Sequence, residues 1–390
     1  MSLAGGFPDP ALFPTAEIAR AAASATSHVG PLEYGPTEGD ERLRSWIAER
    51  NTRRTGVPTH PDQVIVTAGS QQALDLVARV LADAGDVVAV DDPGYIGALQ
   101  AFAAADLSLA AIPVGPTGLD VGHLADRLDQ GLSPQFLYTV PNFHNPTGTT
   151  LGADDRAALG ALADRHGFVL VEDDPYDELC FAGEAPPPLG TYTDRVVSLG
   201  SFSKTIAPGL RVGWLIAPPP LALVLGKAKQ ALDLHTSSLS QAIVAELVTT
   251  PGWFDQHVER ATATYHRRAV ALHTALADRL GDTVDCAPVE GGMFLWLSLP
   301  EGAGVDTRAL LVDALADKVA FVPGSSFAIE RDLRSTMRLS FATVEESDLV
   351  GAADRLARVI TEALWAPNTI VEAPVAHTAS EELPPPGEPY

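Results

Sequence analysis

Five short apolar runs, each giving way at once to polar or turn-forming residues, constrain this chain more than any other feature. They are VIVTAG at 64–69, VVAVDD at 87–92, FLYTVPN at 136–142, FVLVEDD at 168–174 and RVVSLGS at 195–201. Runs this short and this rich in valine read as strands buried on both faces. Helical patterns lie between several of them. In 70–84, Ala73, Leu76, Val77, Val80, Leu81 and Ala84 recur at the spacing of one helical face. Buried strands alternating with helices predict an α/β fold with a largely parallel sheet covered on both faces. Such sheets bind ligands beyond the carboxyl ends of their strands. The chemistry is therefore expected directly after each run.

The texture changes after about residue 270. GGMFLWLSLP (291–300), FVPGSSF (321–327), MRLSFA (337–342) and a helical pattern near 346–364 predict a smaller α+β unit. The final stretch is rich in Pro and Glu and is expected to be a flexible tail. A composition 46% hydrophobic and 19% charged is that of a soluble globular protein. The net charge of −24 argues against a nucleic-acid surface, which needs a basic stripe, and against anionic membranes. No apolar run approaches the roughly 20 residues of a membrane helix. The two cysteines, Cys180 and Cys286, lack metal-ligand spacing, and a reducing cytoplasm is their simplest setting. The proline-broken start, MSLAGGFPDPALFP, has no basic region and does not read as a signal peptide.

Five strand ends carry the residues of interest. TAGSQQAL (67–74) runs through Gly69 and Ser70 into a helix start, where backbone N–H groups suit a phosphate; Gln71 follows. An ordinary turn with Ser70 as the helix cap is the plainer reading. DDPGY (91–95) places Tyr95 where its ring stacks on a planar ligand or packs in the core. PNFHNPTG (141–148) offers Asn145 in a proline-fixed loop, or simply a turn. LVEDDPYDEL (170–179) feeds an apolar run straight into Asp173, with Tyr176 three residues on. In SFSKTIAPGLRVGW (201–214), Lys204 and Arg211 are the only charges between Arg195 and Lys227, beside Ser201 and Ser203. Lysine and arginine are seldom buried unpaired. Either a carboxylate elsewhere in the chain or an anionic ligand completes them.

Those stretches, in this order and with YGPTEGDERLR and MRLSFA, resemble the pyridoxal-phosphate aminotransferases of class I/II, fold type I. The resemblance extends over about residues 5–360 and is nearest to the aminoadipate, aromatic and branched-chain enzymes and to the effector domain of MocR-type regulators. It implies a large domain with a mostly parallel seven-stranded sheet and a smaller α+β domain. The division it suggests is 1–30 as a segment joining the small domain, 31–270 as the cofactor domain, 271–366 as the small domain and 367–390 as the tail. It implies that Lys204 forms a Schiff base with the cofactor aldehyde and shuttles the substrate proton. Asp173 would pair with the pyridine nitrogen, Tyr176 and Asn145 with the ring oxygen, and Tyr95 would stack on the ring. Gly69, Ser70, Gln71, Ser201, Ser203 and Arg211 would form the phosphate cup, with Tyr34 joining from a second subunit. Arg338 would grip the substrate carboxylate, with Gly6 and Asn145 beside it. His144 departs from the family, whose members often carry glutamine there; it borders Asn145, a position from which it can affect the substrate side, and its role is left open.

The expected activity is transfer of an amino group from an α-amino acid to a 2-oxo acid by a cytoplasmic homodimer. A β-eliminating C–S lyase or a decarboxylating or deaminating enzyme of secondary metabolism would share these motifs. A MocR-type regulator is disfavoured by the acidic charge and by motifs that begin almost at residue 1.

Overall fold

The computed structural model describes residues 1–365, so the expected tail lies outside the described residues. Strands β1 (Val64–Thr67), β2 (Val87–Asp92), β3 (Ser108–Gly115), β4 (Gly118–Leu119), β5 (Phe136–Thr139), β6 (Val169–Asp173), β7 (Val196–Ser201) and β8 (Gly213–Ile216) form one sheet. Its order is β1-β8-β7-β6-β5-β2-β3-β4. Where seven strands were expected, the sheet has eight, because the two-residue β4 folds back antiparallel on the end of β3. From β7 through β6, β5 and β2 to β3 every pairing is parallel. Strand β8 runs antiparallel between β7 and β1. The strands are buried nearly throughout, which explains their continuous apolar runs.

Helices α1 (Thr15–Thr26), α2 (Glu41–Thr55), α3 (Ser70–Leu81), α4 (Ile96–Ala104), α5 (Val121–Asp129), α6 (Ala153–His166), α7 (Pro219–Asp233), α8 (Ser238–Thr249) and α9 (Trp253–Leu280) accompany this sheet. Local chemistry sets their ends. Asp40 caps α2 by accepting the N–H groups of Arg42 and Leu43, and Gly56 closes it in the left-handed region at φ 70°. On α3 the predicted face is the buried one, with Ala73, Leu76 and Val77 fully covered, although the helix stops at Leu81.

A second sheet, in the order β10-β11-β9, is built from β9 (Phe294–Ser298), β10 (Val322–Pro323) and β11 (Thr336–Ser340), with α10 (Thr307–Ala316) and α11 (Glu346–Trp365). The N-terminal residues close onto it. Leu3 donates to Ala320 O at 2.7 Å, and its carbonyl accepts Ser340 N–H at 2.7 Å. Helix α9 runs unbroken through position 270 and packs on α8 at one side and α11 at the other. No described helix is long and apolar enough to cross a membrane, and no described cluster of His, Cys, Asp or Glu can hold a metal. Both cysteine thiols are free.

Candidate active site

The carboxyl ends of β2, β5, β6 and β7 lie along one edge of the parallel sheet, and the residues that follow them converge there. At the α3 end the backbone is arranged for an anion. Gly69 sits at φ 90° as the N-cap of α3 and contributes no side chain to the first turn. Ser70 is thus the first helical residue rather than the cap. Arg211 adopts a left-handed φ of 52°, and its Nη2 donates to Ala68 O at 2.8 Å. A Cβ on Gly69 would lie 2.6 Å from that Nη2, and the φ of 90° is a backbone conformation that favours glycine. Gln71 is exposed and donates from Nε2 to Gly97 O at 2.9 Å. Ser201, the last residue of β7, accepts Ser203 N–H on its Oγ at 3.0 Å. An uncapped helix N-terminus beside a guanidinium is a ready anion site.

The next group is carboxylate and amine. Asp173 ends β6 and is 2% exposed. Its Oδ2 accepts the Tyr138 hydroxyl at 2.9 Å, while Oδ1 has no partner among the described residues. Burial pushes this carboxyl up to about 6, against the Tyr138 hydrogen bond and the Lys204 charge. Half-buried Lys204 donates from Nζ to Gly6 O at 2.8 Å. Burial and then the Arg338 charge lower its amine to about 8, with Asp173 opposing. Among the described residues neither Lys204 nor Arg211 has a carboxylate within ion-pair distance; their hydrogen bonds go to carbonyls. Arg211 is exposed rather than enclosed by the apolar residues around it in sequence.

Tyr95 caps α4 with its ring folded over Gly97, and its phenol is raised by burial and by Asp173. Tyr176 is buried, edge-on to Phe294 at 5.8 Å; burial raises its phenol, and the Arg338 charge opposes this. Asn145 is buried and precedes a cis peptide to Pro146. Its Oδ1 accepts Arg338 Nη1 at 2.7 Å. Arg338 Nη2 donates to Ala4 O at 2.9 Å, and its Nε has no partner among the described residues. The guanidinium lies 4.2 Å from the Phe294 ring centre and 5.0 Å from that of Phe327. Burial lowers it to about 10. Strand β11 is buried along its whole length, so Arg338 and Ser340 are not on a solvent face. Gly6 supplies the carbonyl to Lys204, and a Cβ there would stand 3.8 Å from Arg338 Nη2.

The fold thus gathers Lys204, Asp173, Tyr95, Tyr176, Asn145 and Arg338, with Arg211 and the start of α3 to one side. Tyr34 stands apart: it is 78% exposed, and its ring meets His235 edge-on at 5.8 Å. His144 adjoins Asn145 in the chain, and its ring partners are Thr147 and Asp91. It is buried with Nδ1 2.9 Å from Thr147 Oγ1 and Nε2 3.2 Å from Asp91 Oδ2, the latter outside hydrogen-bond alignment. Two features escaped the sequence reading. One is Tyr138, whose only signal was a hydroxyl inside an apolar run. The other is a buried polar chain behind the site. Arg156 donates to Asn142 Oδ1 at 2.6 Å, Asn142 donates to Asp174 Oδ2 at 2.7 Å, and Arg54 lies 3.7 Å from the same oxygen.

A phosphorylated pyridine aldehyde suits this donor set. The uncapped helix and Arg211 match its phosphate, the orphaned Asp173 Oδ1 its ring nitrogen, and a lysine of lowered basicity its aldehyde. The model of the family "aminotransferase class I and II" matches residues 1–356, and the chain belongs to that family: it is a pyridoxal-phosphate-dependent aminotransferase of fold type I. It is 39% identical over 370 residues to the aromatic-amino-acid aminotransferase 1 of Thermococcus litoralis, covering 93% of this chain and 88% of that one. It is 38% identical over 367 residues to the 2-aminoadipate transaminase of Thermus thermophilus, covering 92% and 90%. The crystal structure of the α-aminoadipate aminotransferase of Thermus thermophilus, complexed with N-(5'-phosphopyridoxyl)-L-leucine, superposes with a TM-score of 0.87 at 38% identity, covering 93% and 92%.

Proposed function

We propose that this aminotransferase takes a monocarboxylic α-amino acid with an aromatic or long apolar side chain as donor and a 2-oxo acid as acceptor. The observation that carries the reading is the placing of one buried arginine, Arg338, between the Phe294 and Phe327 rings. That arrangement offers one carboxylate grip within aromatic walls. The aromatic-amino-acid relative and the leucine adduct of the solved relative support this range, whereas 2-aminoadipate, a dicarboxylic donor, lies outside it.

The bound cofactor supplies an electron sink for the bond broken at the substrate α-carbon. The chain's own residues do the rest. Lys204 would hold the aldehyde of the cofactor and would carry the substrate α-proton on Nζ. Asp173 Oδ1 would keep the ring nitrogen protonated, Asn145 and Tyr176 would hydrogen-bond the ring oxygen, and Tyr95 would cover the ring. Gly69, Ser70, Gln71, Ser201, Ser203 and Arg211 would hold the phosphate. Arg338 and the Gly6 backbone orient the carboxylate. We also infer a division of the described residues at about 30 and, along α9, at about 270, a cytoplasmic setting, and a homodimer in which Tyr34 of one protomer completes the other's phosphate site.

A donor screen tests the substrate reading. The loaded enzyme is mixed with single amino acids, and conversion of its absorbance to the pyridoxamine form is followed, with CO2, ammonia and thiol release assayed alongside. Phenylalanine, tyrosine and leucine are expected to convert it fastest. Fastest conversion by aspartate, or release of CO2 or thiol, would overturn the reading.

A further inference from the structure

We propose that Tyr138 is the positioning residue for Asp173: its phenol ties up Oδ2 and so turns Oδ1 into the open site. The proposal rests on the pairing of Asp173 with the cofactor ring nitrogen given above. Tyr138 lies on β5 and Asp173 on β6, in register with Tyr138 opposite Val171, so the phenol reaches along the neighbouring strand to the carboxylate. The tyrosine ring is fully buried and held edge-on by Phe102 at 5.4 Å, with Phe136 packed on Phe102 at 5.3 Å. A ring so enclosed cannot swing to another acceptor, and the carboxylate rotamer is fixed with it.

The hydrogen bond also bears on charge. Burial and the Asp173 carboxylate hold the Tyr138 phenol well above the ordinary tyrosine range, so it remains the donor. Its donation opposes the burial that favours a protonated Asp173. The other ionisable groups that act on this pair are the Lys204 amine, the Tyr95 and Tyr176 phenols, and Asp91, which acts on Tyr138. Only Lys204 also opposes protonation of the carboxyl. Without the phenol, a larger share of Asp173 is protonated near neutrality and unable to hold a protonated ring nitrogen.

The test uses Tyr138→Phe and site-specific 3-fluorotyrosine at 138, whose more acidic phenol donates more strongly. Asp173 titration is read by isotope-edited infrared spectroscopy of the cofactor-free protein, with Asp173→Asn identifying the band. The phenylalanine variant is expected to bind the carboxyl proton roughly tenfold more tightly, and the fluorotyrosine variant more weakly than wild type. In the loaded enzyme, Tyr138→Phe should lower kcat about tenfold at pH 7 with KM within twofold. If Tyr138→Phe does not fold, the fluorotyrosine shift decides. An Asp173 midpoint unmoved by either change overturns the proposal. If Asp173→Asn itself keeps wild-type kcat, the ring-nitrogen pairing fails instead, and the two failures are told apart.

Discussion

Lys204 and Asp173 illustrate how burial without a matched ion pair prepares side chains for chemistry. Only a neutral amine attacks an aldehyde, and an ordinary lysine is almost entirely protonated at neutral pH. Burial and the Arg338 charge bring Lys204 from 10.5 to about 8, so near pH 7 roughly a tenth of it is neutral. The sign follows from the charge type: both effects penalise the cation, so the neutral fraction grows as pH rises through about 8. Capture of pyridoxal phosphate by the cofactor-free protein should therefore accelerate with a midpoint near 8, measured by stopped-flow absorbance between pH 6 and 10. Arg338→Gln should move the midpoint upward by removing a repelling cation. A midpoint at the ordinary lysine value of 10.5 would show that the environment does not tune this amine. These residues were legible in the sequence because each lies at the end of its strand or within a few positions of it. Tyr138 was not, because its partner lies 35 residues away and meets it only through strand register.

At the scale of elements, the site depends on how strand ends and loops are braced from behind. Arg156 on α6 is fully buried and bonds the loop carrying Asn145 at three points: Leu151 O at 2.8 Å, Pro141 O at 3.2 Å and Asn142 Oδ1 at 2.6 Å. It also stands 3.8 Å from buried Glu172. Replacing it with leucine removes the donor to those carbonyls and leaves Glu172 without its cation. Breaking one side of such a buried pair costs about 3–5 kcal/mol. Arg156→Leu should lower urea-unfolding stability by that order, while a loss below about 1 kcal/mol would mean the loop is held by other contacts. None of this brace was readable in the sequence, since Arg156 sits in a helix whose polar residues suggest a solvent face. The limits of the apolar signal show elsewhere too. The five valine-rich runs became β1, β2, β5, β6 and β7; β2 spans its whole run, and the others lose one to three residues at their ends. Strands β3 and β8 escaped notice. Proline interrupts one, SLAAIPVG, and the other is four residues long and lies just behind the loop that carries Arg211.

On the scale of the whole molecule, the first forty residues leave apolar side chains in water that one protomer does not cover: Phe7 is 68% exposed, Val29 78%, Leu32 62% and Tyr34 78%. With a net charge of −24 on each chain, two copies repel at long range, so their association has to come from short-range apolar contact. Phe7 follows directly on Gly6, whose carbonyl holds Lys204, so a second protomer covering this segment would border the active site. That is the setting in which Tyr34 is proposed to reach the neighbouring phosphate. Subunit exchange decides the matter. Lys204→Ala is expected to be inactive because the amine is gone, and a Tyr34 variant severe enough to be nearly inactive is its partner. If Tyr34 acts across the interface, each mixed dimer holds one site with both defects and one with neither. Equal mixing should then restore about a quarter of wild-type activity, since half the dimers are mixed and each has one intact site. If Tyr34 serves its own chain, every site in the mixed dimer keeps one defect. Absence of recovery, with exchange verified by mass spectrometry, would confine Tyr34 to its own protomer.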